Sequence, residues 1–169
     1  MKIIITTNRF IIREFVTQDS EDLFKLEGDK RVNEYIPGKK LLTLNDCKRE
    51  INIYINNYKK SNLGRWAIFL KNTNEFIGVT GFRYLQSIKK TEIGLKLMPK
   101  HWGKGYATEI GNALIHYGLT QLKLNEIIAM ADPNNTRSVK SLENLGMTFV
   151  KNGYYNGNKV VYFNVLREQ

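Results

Sequence analysis

The stretch Glu92-Ile-Gly-Leu-Lys-Leu-Met-Pro-Lys-His-Trp-Gly-Lys-Gly-Tyr-Ala-Thr-Glu109 decides how the chain is interpreted. Its first half alternates apolar and polar residues up to Pro99, a pattern typical of a β-strand. Two glycines, Gly103 and Gly105, follow in a short loop, and the apolar spacing of a helix begins directly after them. The stretch therefore predicts a strand, a glycine loop and a helix start in immediate succession.

This loop has the properties of an anion-binding site. Glycines let the backbone approach a ligand closely, and the first amides of a helix lack intrahelical partners and lie at the positive end of its dipole. Such a helix start suits a phosphate or pyrophosphate, and Lys104 adds a mobile positive charge. Two common phosphate motifs do not fit, because the Walker pattern requires a glycine at Met98 and the dinucleotide pattern requires one at Thr108.

The order of elements around the loop predicts the fold class. Strand patterns cover residues 10–13, 65–70, 75–84, 91–98, 127–131, 149–154 and 159–166. Four helices are predicted from apolar spacing. Asp19 or Ser20 is the N-cap candidate of the first and Thr43 that of the second, and the other two cover residues 105–121 and 136–145. We expect one α/β domain over residues 1–169, with a mixed, mostly antiparallel central sheet flanked by helices.

The overall charge is strongly basic. The 169 residues include 26 Lys and Arg against 16 Asp and Glu, a formal net charge of +10. This excess favours an anionic partner, either a nucleic acid or a phosphorylated small molecule. The basic residues are dispersed, and neither a helix-turn-helix pattern nor an aromatic RNA-binding strand occurs, so we predict no direct nucleic-acid binding.

Cysteine and apolar content exclude further classes. Cys47 is the only cysteine, which rules out an internal disulfide and a Cys-ligated zinc site, and its helical spacing places it on a buried stripe as a core residue. His101 and His116 show no metal-ligand spacing, so we expect no metal. No apolar run approaches the roughly 20 residues of a membrane span or the roughly 7–15 of a secretory signal, which predicts a soluble cytoplasmic protein with no membrane partner.

Five stretches of the sequence together resemble one enzyme family. Residues 102–107, Trp-Gly-Lys-Gly-Tyr-Ala, resemble the acetyl-CoA loop of the GNAT superfamily of N-acetyltransferases. With Glu92-Ile-Gly ahead of it, this region is similar to the RimJ/RimL-like branch, which acetylates the N-termini of ribosomal proteins. Residues 132–138, residues 145–147 and the opening residues 9–14 match further motifs of that branch, so the resemblance covers essentially the whole chain in order.

The resemblance implies how acetyl-CoA is held. The backbone of Leu95, Lys96 and Leu97 would pair with the pantetheine arm as a further strand would, in a cleft where the sheet is splayed between two strands. Asn135, with Ser138 in the same motif, would hold the arm from the opposite side, since an amide-containing arm satisfies backbone groups left open in a cleft. Backbone amides would hold the pyrophosphate at Gly103, Lys104, Gly105, Tyr106, Ala107 and Thr108.

The resemblance also implies catalytic roles for an amine that attacks the acetyl thioester. Glu92 matches the glutamate that deprotonates the amine, and the N–H of Leu97 matches the oxyanion donor, because the family's strand bulges there. The tyrosine that many members use to protonate the leaving thiolate maps to Leu142. The general acid is therefore unassigned. Ser141, Ser138 or a water are its candidates, although a bond to the local backbone is the commoner role of a helical serine.

The sequence leaves the acceptor open. A protein N-terminus of the ribosomal type is our leading hypothesis, whereas a lysine, an aminoglycoside or a polyamine are alternatives. Polycationic acceptors such as aminoglycosides and polyamines prefer an acidic cleft, so the net positive charge of the chain disfavours them. Residues 33–35 fall on one wall of the family's acceptor cleft. A non-catalytic acyl-CoA-binding or ribosome-associated module is a separate alternative, and the resemblance leaves a homodimer open.

Overall fold

A computed structural model describes residues 1–38 and 43–168 of the protein. Its centre is an eight-stranded sheet with the strand order β1-β2-β3-β4-β5-β6-β8-β7. All neighbouring strands are antiparallel except β5 and β6, which run parallel. The strands are β1 (Ile3–Thr6), β2 (Phe10–Arg13), β3 (Arg65–Leu70), β4 (Phe76–Leu85), β5 (Lys90–Leu97), β6 (Glu126–Ala131), β7 (Thr148–Tyr155) and β8 (Asn158–Leu166).

Helices cover both faces of this sheet, which confirms the predicted mixed, mostly antiparallel α/β fold. Two elements of four residues each, β1 and α2, were not predicted. The helices are α1 (Ser20–Gly28), α2 (Lys30–Asn33), α3 (Leu44–Tyr58), α4 (Tyr106–Thr120) and α5 (Thr136–Asn144).

The two predicted N-caps behave differently. Thr43 accepts a 3.1 Å hydrogen bond from the Asp46 N–H, and the Asp46 carboxylate accepts a 3.0 Å bond from the Thr43 N–H, so α3 begins with a capping box. Asp19 occupies the N-cap position of α1 without capping it. Its carboxylate instead binds the Arg13 guanidinium through two 2.8 Å bonds, which ties β2 to the start of α1.

Each face of the sheet buries its own hydrophobic core. The first core packs β-strand residues such as Phe82 and Ile93 against Ile110 and Leu114 of α4. The second lies under α1 and α3 and includes Cys47, which is completely buried. Burial raises the pKa of the Cys47 thiol to about 11, and its interpretation as a core residue is confirmed.

The parallel pair β5 and β6 is the weak point of the sheet. These strands share a single registered pair, Glu92 with Ile128, whereas β4 and β5 are paired continuously from Gly78 with Leu97 to Leu85 with Lys90. From Glu92 onward, β5 therefore follows β4 while β6 diverges. The predicted splay between two strands is confirmed, and it opens toward the start of α4.

Candidate active site

Backbone groups of β5 face the gap between β5 and β6. The Met98 N–H donates a 2.8 Å hydrogen bond to the carbonyl of Ile77, one step beyond the last registered pair of β4 and β5, Gly78 with Leu97. Successive residues of an antiparallel pair alternate in direction, so the backbone groups of Leu97 and Leu95 turn away from β4 and toward the gap. The indole Nε1–H of Trp102 donates to the Leu97 carbonyl at 2.8 Å. The Leu97 N–H and both backbone groups of Leu95 are left facing the gap.

Lys96 differs from its predicted place in this set. The same alternation turns its backbone groups toward Val79 on β4, and its ammonium binds both carboxylate oxygens of Glu27 on α1 at 2.9 Å. The implied strand bulge is also not seen, because the register of β4 and β5 runs without a shift. The gap arises from the divergence of β6 instead, and Lys96 fastens α1 to the sheet.

The glycine loop after β5 leads directly into α4, as the sequence predicted, and its backbone is left-handed at both glycines. Gly103 and Gly105 have φ angles of +74° and +71°, in the left-handed region that favours glycine. A Cβ at Gly103 would meet nothing within 4 Å, and one at Gly105 would lie 3.9 Å from Arg9, so backbone conformation rather than space requires glycine. Gly105 is the N-cap of α4 and brings no capping side chain, which leaves the first amides of α4 for an anion.

A clamp that sequence reasoning missed holds this loop in place. The Glu109 carboxylate of α4 accepts a 2.6 Å hydrogen bond from the Thr7 hydroxyl. It also forms an ion pair with Arg9 Nε at 2.5 Å. Arg9 also donates to the Lys104 carbonyl at 3.2 Å and lies 4.6 Å from the centre of the Tyr106 ring. Although partial burial acts to raise it, hydrogen bonds from Thr7 and Arg9 hold the pKa of Glu109 below its ordinary value. The turn between β1 and β2 thus braces the start of α4.

The start of α5 forms the opposite side of the gap. Asn135 is the N-cap of α5, and its side-chain oxygen accepts a 3.1 Å bond from the Ser138 N–H. This leaves the carboxamide NH2 of Asn135 as the group that could donate to a ligand. The guanidinium of Arg137 lies 4.2 Å from the centre of the Trp102 ring, a cation–π contact that joins α5 to the glycine loop.

Glu92, the predicted general base, lies in an ion-pair cluster. Glu92 is buried, with 8% of its surface exposed. Its Oε2 accepts a 2.9 Å hydrogen bond from Arg83 Nη2 and lies 3.5 Å from Arg65 Nη2. Arg65 also donates to the Gly81 carbonyl at 3.0 Å. A proton transferred to Glu92 would therefore weaken its ion pairs with Arg83 and Arg65. The sequence of β5 alone does not show these two partners, because they lie on β4 and β3.

The spacing of the two predicted catalytic groups on β5 restricts how they can cooperate. At about 3.4 Å per residue, the Cα of Leu97 lies roughly 17 Å from that of Glu92, and the Cα of Leu95 lies roughly 10 Å from it. A general base acts within hydrogen-bond reach of its proton or through one water. If Glu92 is the base, the Leu95 N–H is the better-placed oxyanion donor, because it faces the same gap much closer to the carboxylate.

Other predicted residues have structural partners. The Ser141 hydroxyl donates to the Arg137 carbonyl at 2.9 Å within α5, a geometry that does not favour a general acid, and Leu142 packs against the core. Asn33 donates from its side chain to the Glu27 carbonyl at 2.7 Å. The nearby Glu34 carboxylate raises the pKa of Tyr35.

The described residues lack two further features. Residues 1–38 and 43–168 contain no group of three or more His, Cys, Asp or Glu side chains that could hold a metal ion. Within the same ranges, no helix combines the length and the apolar character that crossing a bilayer demands.

A sheet that opens between two strands beside a glycine loop at a helix start is the architecture of an acyl-CoA-dependent acyltransferase. The acetyltransferase (GNAT) domain matches residues 9–148, and the chain belongs to this family of N-acetyltransferases. It is 34% identical over 148 residues to the uncharacterized N-acetyltransferase p20 of Bacillus licheniformis, an alignment that covers 87% of this chain and 82% of that protein.

Solved structures agree with this assignment. The crystal structure of a GNAT-family acetyltransferase from Bacillus anthracis superposes with a TM-score of 0.83 at 28% identity, covering 98% of this chain and 99% of that one. RimL, a ribosomal L7/L12 α-N-protein acetyltransferase solved in complex with coenzyme A, has a TM-score of 0.83 at 16% identity, with 98% of each chain covered. RimL thus shares the fold.

Proposed function

We propose that this chain transfers the acetyl group of acetyl-CoA to a primary amine at a protein N-terminus, by direct attack in a ternary complex. The observation that carries the proposal is the single registered pair between β5 and β6. It leaves outward-facing backbone groups of β5 next to the uncapped start of α4, so one extended ligand could contact both. We also propose that residues 1–169 act as one catalytic domain.

The residues present fit acetyl-CoA as the donor substrate. The pantetheine arm carries amides, which can pair with the backbone of Leu95 and with the Leu97 N–H in the gap. The pyrophosphate is a dianion, which suits the amides from Gly103 to Thr108 and the charge of Lys104. On the far side, the carboxamide NH2 of Asn135 would donate to the arm.

The proposed reaction needs one proton acceptor and one oxyanion donor. The amine nitrogen attacks the thioester carbonyl carbon, and the proton that it loses passes to Glu92 directly or through one water. The developing oxyanion is stabilised by a backbone N–H of β5, that of Leu95 or Leu97. The carbon–sulfur bond then breaks, and the thiolate takes a proton from water, because the family's tyrosine maps to Leu142. Glu92 returns the amine proton to the solvent, which restores that water and leaves the amide and the coenzyme A thiol as products.

Two observations support an N-terminus as the acceptor. RimL, which shares the fold, is a ribosomal L7/L12 α-N-protein acetyltransferase. The chain carries a formal charge of +10, which disfavours polycationic small molecules such as polyamines and aminoglycosides. An N-terminus is also an extended chain end, which can enter a narrow gap.

The test combines ligand binding with turnover. Acetyl-CoA should raise the melting temperature, because a ligand that binds only the folded state stabilises it. Release of the coenzyme A thiol should then follow the addition of peptides with free N-termini, and not of the same peptides with blocked N-termini. The absence of a melting shift at millimolar acetyl-CoA would contradict the proposed donor. Binding without turnover of any amine would favour the non-catalytic module.

A further inference from the structure

We propose that the acceptor amine carries a carboxylate two or three residues away from its nitrogen, and that Arg83 together with Arg65 binds this carboxylate. The inference rests on the proposed amine acetylation and adds the substrate class. Its site is the arginine cluster, which we define as Arg65 on β3, Arg83 on β4 and Glu92 on β5.

The charges in the arginine cluster do not balance. Two guanidinium groups contact one oxygen of one carboxylate, at 2.9 Å and 3.5 Å, so the cluster has a net charge of +1. In the described ranges, neither arginine forms an ion pair with any carboxylate other than Glu92, and the further partner of Arg65 is the Gly81 carbonyl. A second carboxylate would complete the pairing.

The sheet is shaped to hold Arg65 in this place. A Cβ at Gly94 would lie 2.2 Å from Arg65 Nη1, so the guanidinium rests where a side chain would otherwise stand. Burial lowers the pKa of Arg65, an effect opposed by the nearby Glu92. A buried cation that shares its counter-ion with a second arginine gains from a further anion.

Arg83 supplies the accessible half of the site. Its side chain is 54% exposed, and a single hydrogen bond to Glu92 uses one of its donors. A guanidinium has five N–H donors in a planar fork that matches a carboxylate in a bidentate manner. Arg83 can therefore keep its contact with Glu92 and still bind a carboxylate from solvent.

The location of the cluster gives the distance between the two groups of the acceptor. On the opposite face of β5, Ile93 and Leu97 pack against α4, so an amine would approach the gap from the face that carries Arg83 and Glu92. The Leu95 N–H lies about 10 Å from Glu92 along the strand. An extended peptide spans about 3.3–3.6 Å per residue. An amine that lies between the Leu95 N–H and Glu92, one water away from that carboxylate, would therefore place a carboxylate of its second or third residue at the exposed guanidinium of Arg83.

Matched acceptors test the inference. We would compare kcat/KM for the peptide Ala-Ala-Asp-Ala-Ala-amide with that for Ala-Ala-Asn-Ala-Ala-amide, which has the same length and one charge less. The dipeptide Ala-Ala as a free acid and as an amide forms the second pair. We expect the acidic member of a pair to be preferred about tenfold or more, the range of a charge-assisted hydrogen bond. A preference in the dipeptide pair alone would identify a small acidic amine as the source of the carboxylate.

Variants assign the preference to the site. Arg83→Gln should reduce it to about twofold or less, and Arg83→Lys should retain part of it, with the KM for acetyl-CoA unchanged. Arg49→Gln removes the same charge from an arginine whose side chain is 67% exposed on α3, and should leave the preference intact. Melting curves with and without acetyl-CoA check that each variant folds and binds the donor.

The outcomes separate this inference from the proposed function. Equal kcat/KM values for the two members of both pairs, or a preference that survives in Arg83→Gln, would overturn the inference while leaving amine acetylation intact. If the donor binds and neither these peptides nor any other amine releases coenzyme A, the proposed function itself fails, and the inference fails with it.

Discussion

The two ends of the gap between β5 and β6 are constructed by different means. At one end, the anion site consists of consecutive residues from Gly103 to the first turn of α4, and its donors are backbone amides. At the other end, the arginine cluster joins side chains from β3, β4 and β5. The first site depends on backbone dihedral angles, whereas the second depends on strand register and on charge.

This difference determines which substitutions should damage each end. A side-chain replacement in the glycine loop matters mainly where it changes φ or brings a negative charge near the amides. A replacement in the arginine cluster leaves a charge without its partner, which costs more because the groups are partly buried.

Replacing Glu92 should have the largest effect. If Glu92 accepts the amine proton, Glu92→Gln lowers kcat by about 10²–10⁴-fold, the usual contribution of a general base. Steady-state kinetics with a peptide acceptor measures this. The matched control is Glu126→Gln on β6, since Glu126 is also a strand carboxylate in an ion pair, with Lys90, and lies outside the gap. A kcat within tenfold of the wild type would assign Glu92 to positioning Arg65 and Arg83 only.

The second prediction concerns the anion site. Gly105→Glu adds a negative charge and forces a non-glycine residue to a φ of +71°, so the KM for acetyl-CoA should rise at least about 100-fold and the melting shift should vanish. Gly105→Asn is the control, because asparagine tolerates the left-handed region and is neutral. Retention of the melting shift in Gly105→Glu would show that the pyrophosphate lies elsewhere.

The third prediction concerns the packing of the Arg65 guanidinium against Gly94. Gly94→Ala places a Cβ 2.2 Å from Arg65 Nη1, the end of a flexible side chain, so the guanidinium must move and its contacts with Glu92 and the Gly81 carbonyl must weaken. We expect a cost of about 1–2 kcal/mol of unfolding free energy, measurable by urea denaturation. The acetyl-CoA melting shift should remain, because the damage is confined to the arginine end. Gly28→Ala is the control, as a Cβ there meets nothing within 4 Å. Equal stability of the two variants would contradict the packing of Arg65.

The smallest effect concerns the clamp on the glycine loop. The pKa of Glu109 is lower in the folded state than its ordinary value of 4.5, so its stabilising contribution is complete above that value and is lost as the pH falls through the folded pKa. Glu109→Gln should therefore reduce the free energy of unfolding at pH 7 by about 1 kcal/mol, which lowers the melting temperature. The difference in melting temperature between wild type and variant should shrink toward pH 3.

Melting curves of both proteins between pH 7 and pH 3 test this. Glu143→Gln, at an exposed carboxylate of α5, serves as the comparison and should show little difference at any pH. A difference between wild type and Glu109→Gln that is constant across the range would mean that the ionised form of Glu109 is not what stabilises the loop.

Much of the fold could be predicted from the sequence because it is encoded locally. Apolar periodicity predicted α3 and α4, strand patterns predicted β7 and β8, and Thr43 was predicted as the N-cap of α3. The glycines at positions 103 and 105 likewise indicated a loop that a ligand can approach closely and a helix start, whereas their left-handed φ angles are a finding of the structure. The position of Cys47 on a helical stripe was enough to assign it to the core.

Other features were decided by the tertiary structure alone. Strand register determines that Leu95 and Leu97 face the gap while Lys96 faces β4, and a shift of one residue would reverse this. The pairing of Arg9 with Glu109 joins residues one hundred positions apart, and Glu92 meets Arg65 and Arg83 across three strands. Dihedral preferences and periodicity act over a few residues, so the sequence by itself determined the elements and the anion loop. Long-range strand pairing decided which side chains and backbone groups meet in the gap.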